Sequence, residues 1–540
     1  MRASAKRQPL ARPSDSVIAV PSTSRSWWGA PLRMQVAMRV ISMVARWQIA
    51  ESRWRSPHAP YDGVMPTTAA RLNVTDNSFL SLEKGGGHMH VAGVLIFEGP
   101  PPPYEQVVAR IQSRLDLVPR YRQKLADSPL RLGRPLWVDD PNFNIHYHLR
   151  HTALPAPGST DGLETLVGRI CSQRLDRSKP LWELWYVTGL DDDRFALIAK
   201  THHALVDGIA GVDVASLLLD SLEADPDGPA RDGADAEWEP TSEPTGAQLA
   251  SAELRELIGG QWSVAKRALQ AVPHPRRALH VAGEYLQGLR DFLGAVVDTA
   301  PPSPFNVPHG PHRRVTWFEV ELSEVKRIKN ALGGTVNDVV IAAVAGGLRS
   351  WMLDRGYPVD GLTLQAMVPK SVREETERHS FGNRIAAMRA PLPVGVADTV
   401  ERLRTVSAAM NDLKNSKQVL GVEAYLGMQQ FAPPTLLAQA ARLNFSTRLF
   451  NLIVTNVPGP QFPLHMLGRE LVSFLPIAPT PQAHTLGFGI LSYNGKLGFC
   501  LIGDWEVMPD IRDVAGHIRD ALGALQRAAD TSATPTGESS

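Results

Sequence analysis

The sequence predicts an α/β protein of two mixed-sheet domains joined by a helical crossover. Three observations predict it. The chain has 540 residues, more than one small core fills. Short valine- and isoleucine-rich runs alternate with stretches of helical periodicity both in 65–223 and in 311–528. Between them, Ala224 to Gly246 is acidic and rich in Pro, Gly and Ala, which reads as a linker, and Ser251 to Thr299 is helical in composition. Residues 224–310 are therefore linker and crossover.

In the first domain the spacing predicts strands over Met89–Glu98, Asn142–His148, Trp182–Val187 and Phe195–Thr201. Helices are expected over Tyr104–Leu125, Leu163–Leu175 and Ile209–Leu222. The second domain opens with a strand, Arg314–Leu322, and a strongly apolar helix, Val336–Leu353. Strands follow over Thr363–Val368 and Arg384–Pro391, then three helical stretches between Ala397 and Leu443, then a strand over Leu452–Asn456. Thr485–Leu491 and Lys496–Ile502 flank Tyr493-Asn494-Gly495, and Asn-Gly is a strong hairpin signal. Ile511–Ala528 closes as a helix, and the polar tail, 529–540, reads as disordered.

Composition narrows the function classes. Apolar residues make up 43% and charged residues 21%, as in ordinary globular proteins. A net charge of +1 excludes a molecule built throughout as a polyanion binder, and no nucleic-acid partner is expected. Cys171 and Cys500 form neither a spaced metal cluster nor a disulfide framework, so a reducing cytosol is the expected compartment. No stretch approaches the ~20 apolar residues that span a bilayer; Val339–Leu348 reads as part of a buried helix. Residues 1–64 differ from the rest. Between Met1 and Pro57 ten Arg or Lys stand against two acids, Asp15 and Glu51. Gln35, Arg39, Ser42, Arg46 and Arg53 fall on one helical stripe, with Met34, Val36, Met38, Val40 and Trp47 over much of the remainder. A basic amphipathic extension suits a lipid surface. It also suits a transit-like peptide, or an extension upstream of a true start at Met65.

The chemistry lies at His202-His203-Ala204-Leu205-Val206-Asp207-Gly208. An apolar strand runs into two histidines, and a strand end is a rigid place to present a reactive side chain. An imidazole abstracts protons near neutral pH, and an alcohol becomes a good nucleophile as its proton leaves. Adjacent histidines on extended backbone point to opposite sides, so one is expected to face substrate. Asp207 can hold the turn, and Gly208 permits backbone that other residues resist. The spacing does not match the His-x-x-x-His zinc pattern and no nearby Cys or Glu completes a set, so no metal is expected. His146 and His148 would share a strand face, but read as surface or core histidines. Asn337, or Thr455 with Asn456, could donate to an oxyanion, although Asn337 also suits an N-cap and Trp182 suits core packing.

His-His-x-x-x-Asp-Gly resembles the hallmark of the CoA-dependent acyltransferase superfamily. Further blocks resemble the bacterial wax ester synthase/diacylglycerol acyltransferase family: Asp76-Asn77-Ser78-Phe79 with Glu83 and Met89-His90-Val91; Asn142-Phe143 to His148; Leu175 to Glu183, including Pro180-Leu181-Trp182; Asn337-Asp338-Val339-Val340; Val368 to Arg373; Gly382-Asn383; and Asn456 to Pro460. The resemblance covers roughly 71–528 and leaves out the basic arm. It implies two chloramphenicol-acetyltransferase-like mixed-sheet domains with an active-site channel between them. It implies His203 as general base, His202 in support, and Asp207 and Gly208 in the turn. Pro180, Leu181, Trp182, Asn337 and Asp338 are implied at the substrate site and domain contact. The reaction implied is direct attack of an acceptor hydroxyl on acyl-CoA, a co-substrate, with no cofactor. Long-chain acyl-CoA and diacylglycerol or a fatty alcohol are the expected partners, with no obligate protein partner. The expected place is the cytoplasm, peripheral at the inner membrane or a lipid-droplet surface. Two other readings stand beside it: a superfamily acyltransferase for a different hydroxyl or amine acceptor, and a non-catalytic lipid-droplet protein that kept the fold. The intact motif weighs against the second.

Overall fold

Runs of apolar residues become strands where both faces can be buried, and the first half shows this in order. A short β1 (Ala70–Arg71) precedes α1 (Val74–Leu82), which starts where the Asn73 side chain accepts the Asp76 amide. β2 (His90–Phe97), α2 (Tyr104–Gln112), β3 (Gln123–Ala126) and β4 (Leu136–Asp139) come next. The helix expected to reach Leu125 stops at Gln112 and gives way to 3-10 turns, one opening at Pro119, which has no amide to continue a helix. The strand expected over Asn142–His148 is corrected. Asn144 accepts the His146 amide and caps a helical turn, α3 (Ile145–His148), and the strand is β5 (Leu149–Ala153). Then come α4 (Thr160–Ser172), β6 (Trp182–Thr188), β7 (Phe195–His202) and the two-residue β8 (Asp220–Ser221).

The second half contains β9 (Arg313–Glu321), α5 (Leu322–Leu332), α6 (Val336–Asp354), β10 (Leu364–Ser371), β11 (Ile385–Leu392) and α7 (Thr399–Asn415). It continues with β12 (Leu452–Pro458), β13 (Leu464–Met466), β14 (Arg469–Ile477), β15 (Leu486–Tyr493), β16 (Lys496–Asp504) and α8 (Ile511–Ala533). Tyr493 pairs with Lys496 across Asn494 and Gly495, both at positive φ, as a two-residue hairpin demands. This computed structural model describes residues 70–83, 86–127, 129, 134–205, 219–221, 238–251, 253–254, 299–371, 385–415 and 446–533, all within one unit, Met65–Ser540. The basic arm, Asp207, Gly208, the helix expected over Ile209–Leu222, most of the linker and crossover, Arg373, Gly382-Asn383, the helical stretches beyond Asn415 and the end of the tail lie outside the described residues.

The strands make a six-stranded sheet, β11-β10-β12-β15-β16-β9, a seven-stranded sheet, β5-β6-β7-β2-β14-β13-β8, and a small sheet, β1-β4-β3. The seven-stranded sheet crosses the division expected at residue 310. β14 pairs antiparallel with β2, Leu471 opposite Phe97 through Ile477 opposite Ala92. The second half of the chain thus supplies β13 and β14 to the first sheet. α6 is long and apolar enough to span a bilayer, yet 72% of its apolar window is buried. It is the core helix of the second half, packed with β10, β15 and α8 around Val340, Leu364, Phe488 and Ile518.

α4 joins the halves. Leu163, Val167 and Ile170 cluster with Val94 and Ile198 of the first sheet, Leu475 of β14, and Val315 and Cys500 of the second. Glu164 Oε1 accepts from Thr316 Oγ1 at 2.7 Å, and its Oε2 accepts from Arg512 Nη2 at 2.6 Å. Gly168 lets this helix approach β9, because a Cβ there would lie 2.7 Å from the Arg313 carbonyl oxygen. Alanine favours a helix over glycine, but Gly168→Ala is expected to lower the unfolding free energy by about 1–3 kcal/mol through overpacking against backbone. Thermal and denaturant unfolding check this; an unchanged or raised stability would contradict the close approach.

Candidate active site at the end of the central strand

β7 lies between β6 and β2 and is buried along nearly its whole length. Both neighbours clamp its end. The His202 amide donates to Leu181 O at 2.9 Å, and the His203 amide donates to Met89 O at 2.8 Å. The chain then turns, with the Leu205 amide donating to His202 O at 2.8 Å. The two imidazoles go to different partners, as extended backbone requires. His203, 9% exposed, packs its ring 4.3 Å from that of Phe79 on α1. His202, 1% exposed, stands opposite His90 of β2, with the ring centroids 5.7 Å apart. Its Nδ1 accepts the Ala204 amide at 3.0 Å. A rigid central strand therefore ends in a histidine whose ring is set by its neighbours, next to a second at the start of a turn.

Glu83, just past α1, converges on the same place. Its Oε1 accepts the Met89 amide at 3.0 Å and lies 3.2 Å from His202 Nε2 and 3.3 Å from His90 Nε2. Its Oε2 accepts from Arg177 Nη2 at 2.8 Å. Burial opposes the charge on this carboxylate, but His202, His90 and Arg177 outweigh it and hold the group far below the usual carboxylate range. In the sequence Glu83 stands out only as part of a block. The signal that could have found it is a carboxylate in a segment that also carries Met89-His90, but 119 positions separate it from His202, and local patterns do not span that.

Pro180, Leu181 and Trp182, expected at the substrate site and domain contact, lead into β6 beside the end of β7. All three are buried. Trp182 donates from Nε1 to Tyr121 O at 2.8 Å and stacks on His148, whose Nδ1 lies 2.8 Å from Trp182 O. Leu181 receives the His202 amide and Trp182 stands opposite Thr201, so the block supports the end of β7 from below. Asp338 is likewise buried and forms a capping box with Thr335, its Oδ2 accepting the Thr335 amide at 2.8 Å and Ser407 Oγ at 3.3 Å. The cap of α6 is thus Thr335 and not Asn337. Asn337 instead accepts from Asn456 Nδ2 at 3.3 Å, tying the start of α6 to β12, while Thr455 Oγ1 donates to Phe488 O. The structure joins Asn337 to Asn456, His202 to Leu181, and His203 to Met89.

Glu83, His88 and His90 each place a donor atom within 4.8 Å of the others. The Glu83 oxygens are already engaged, and Arg313, Arg174 and Lys200 all act on His88 with positive charge. That environment opposes a divalent cation, and the cluster is better read as a carboxylate among imidazoles. His146 is exposed, with its Nδ1 3.3 Å from Tyr104 Oη, and His148 is buried, so the two do not share a face.

An imidazole at the end of a buried strand can accept a proton near neutral pH, and similarity to known proteins gives the class. A model of the wax ester synthase/diacylglycerol acyltransferase catalytic domain matches residues 72–340, and one of the WS/DGAT C-terminal domain matches 381–526. A Mycobacterium tuberculosis relative that carries the provisional name of a diacylglycerol O-acyltransferase is 33% identical over 471 residues, spanning 85% of this chain and 91% of its own. A second chain of that organism, named a probable diacylglycerol O-acyltransferase, is 32% identical over 467 residues, 84% of this chain and 98% of its own. The solved wax ester synthase/diacylglycerol acyltransferase from Marinobacter aquaeolei VT8 superposes with a TM-score of 0.60 at 27% identity, over 85% of this chain and all of that one. The first condensation domain of the calcium-dependent antibiotic synthetase, at 16% identity and a TM-score of 0.55 over 87% and 98%, shares the fold. The protein is an acyltransferase with the two-domain architecture common to these folds. It belongs to the wax ester synthase/diacylglycerol acyltransferase family.

Buried histidines near the site make stability depend on pH. Burial, aided by Arg313, pushes His88 down to about 4; burial likewise holds His309 and His484 at about 4. In the unfolded chain a histidine takes up its proton near pH ~6.5. Between there and about 4 the unfolded state binds more protons, so stability rises with pH and is lost as pH falls. The melting temperature is expected to drop steadily from pH 6.5 to 4, and His88→Asn to flatten that slope. A slope unchanged in the variant would contradict a buried neutral His88.

Proposed function

We propose that this chain esterifies diacylglycerol with the acyl group of a long-chain acyl-CoA, giving triacylglycerol, and that long-chain alcohols serve as a second class of acceptor, giving wax esters. The observation that carries the reading is the histidine pair clamped at the end of β7, in a chain of this family. The names of the mycobacterial relatives support diacylglycerol as acceptor, and that of the Marinobacter enzyme supports both acceptors. His203 acts as general base. As the acceptor oxygen attacks the thioester carbonyl carbon, its proton passes to the His203 imidazole. The tetrahedral intermediate collapses, the carbon–sulfur bond breaks, and the imidazolium returns the proton to the departing thiolate. The products are an ester and free CoA, and no acyl-enzyme forms. His202 supports His203, and Asp207 and Gly208 complete the motif. The Asn337–Asn456 pair is the candidate donor to the oxyanion. No cofactor enters. The enzyme works at a lipid surface, which the basic extension engages.

The test is CoA release and radiolabelled ester formation from palmitoyl-CoA, with diacylglycerol and hexadecanol in parallel. His203→Ala is expected to lower kcat by about 10²- to 10⁴-fold, with the variant folded by circular dichroism. Undiminished turnover would end the base assignment. Ester formed with neither acceptor would end the substrate assignment. Removal of residues 1–64 is expected to weaken binding to anionic phospholipid vesicles, and the weakening to shrink as salt is raised; equal binding by both forms would remove the extension from the mechanism.

A further inference from the structure

The base assignment leaves Glu83 without a part. Burying a carboxylate is costly unless its oxygens are satisfied, and this one is 5% exposed with both oxygens engaged. We propose that Glu83 is the positioning residue of the acyl transfer: its carboxylate sets the tautomer of His202 and the backbone of Met89, and through both it holds the turn that presents His203. The inference rests on His203 being the base.

Two routes lead from the carboxylate to His203. The first runs through the His202 ring. Nδ1 of that ring accepts the Ala204 amide and so carries no proton. A neutral imidazole has one N–H, which therefore sits on Nε2, the atom 3.2 Å from Glu83 Oε1. An anionic oxygen there favours this tautomer. Flipping the ring's protons would set a lone pair against the carboxylate and an N–H against an amide N–H. Glu83 thus orients the ring, and the ring holds Ala204, the residue after His203. The second route runs through Met89. Its amide donates to Glu83 Oε1 and its carbonyl accepts the His203 amide. Both routes start from one oxygen atom. Arg177 holds the other oxygen, which keeps Oε1 turned to the histidines, and His90 closes the remaining side. α1 ends one residue before Glu83 and carries Phe79, so the ring that packs against His203 and the carboxylate ride on the same element.

Glu83→Gln keeps the shape and a carbonyl oxygen for Met89 but loses the charge. It is expected to lower kcat about tenfold or more while the KM for palmitoyl-CoA stays within about twofold and the melting temperature near that of the parent. Glu83→Asp is expected to recover part of the loss. In the His203→Ala background, Glu83→Gln is expected to cost nothing further. In the unaltered full chain, ¹⁵N spectra of labelled histidine are expected to show His202 protonated on Nε2, a readout that does not depend on any variant folding. An unchanged kcat in Glu83→Gln, a loss that only follows a fall in folded fraction, or His202 protonated on Nδ1 overturns the positioning role. Full turnover by His203→Ala overturns the base assignment instead, whatever the tautomer of His202.

Discussion

The end of the molecule that carries the histidines depends on a buried guanidinium. Arg313 is 2% exposed. Its Nε donates to Thr480 Oγ1, its Nη1 to the carbonyls of Gly310 and His312, and its Nη2 to that of Gly86, with Asp504 3.9 Å away. Taking such a charge out of water costs several kcal/mol, and only near-complete satisfaction of its donors offsets that. A lysine could not, because a point charge with three donors does not reach a planar set of acceptors. The carbonyl of Gly86 belongs to the segment that continues into Met89, which accepts the His203 amide. The guanidinium therefore holds the first half's approach to the site against residues of the second.

The same division of labour recurs around it. Apolar packing brings the halves together along α4, and saturated charges fix how they meet. Glu164 joins α4 to β9 and α8 through Thr316 and Arg512. The strand that ends in the histidine pair lies inside a sheet whose strands come from both halves, so its end has little freedom. Beyond that end the chain turns, and side-chain contacts aim the turn. Rigidity comes from the ladder, and direction from the few polar groups at its rim.

Much of this was legible in the sequence, and the features that were missed have a common cause. Apolar runs became β2, β6, β7 and β12, and Asn494-Gly495 became the hairpin it signals, because these depend on neighbours in sequence. The histidine pair stands at a strand end, where its pattern placed it. The strand read over Asn142–His148 failed because Asn144 caps a helical turn, and a short alternating run does not separate the two. Trp182 donates to a backbone carbonyl in the core beside β7, and Asp338 completes a capping box. The pairing of β14 with β2 and the convergence of Glu83 on His202 join residues far apart in the chain. Periodicity carries no information about such partners.

The pairing of β2 with β14 also has a consequence in time. A ribosome adds about 5–20 residues per second, and Leu471 is made long after its partner Phe97. For about 20 to 75 seconds, the edge of β2 that will meet β14 has no native partner. It carries Val94, Leu95 and Ile96, and an unpaired apolar edge is a template for other chains. The nascent first half thus waits, with its central sheet open on one side, for strands not yet synthesised. Holding that edge apart from its neighbours is a task for whatever meets the chain as it emerges. The two halves made as separate polypeptides would each inherit the problem permanently: one with an open edge, the other with a hairpin and no sheet to join.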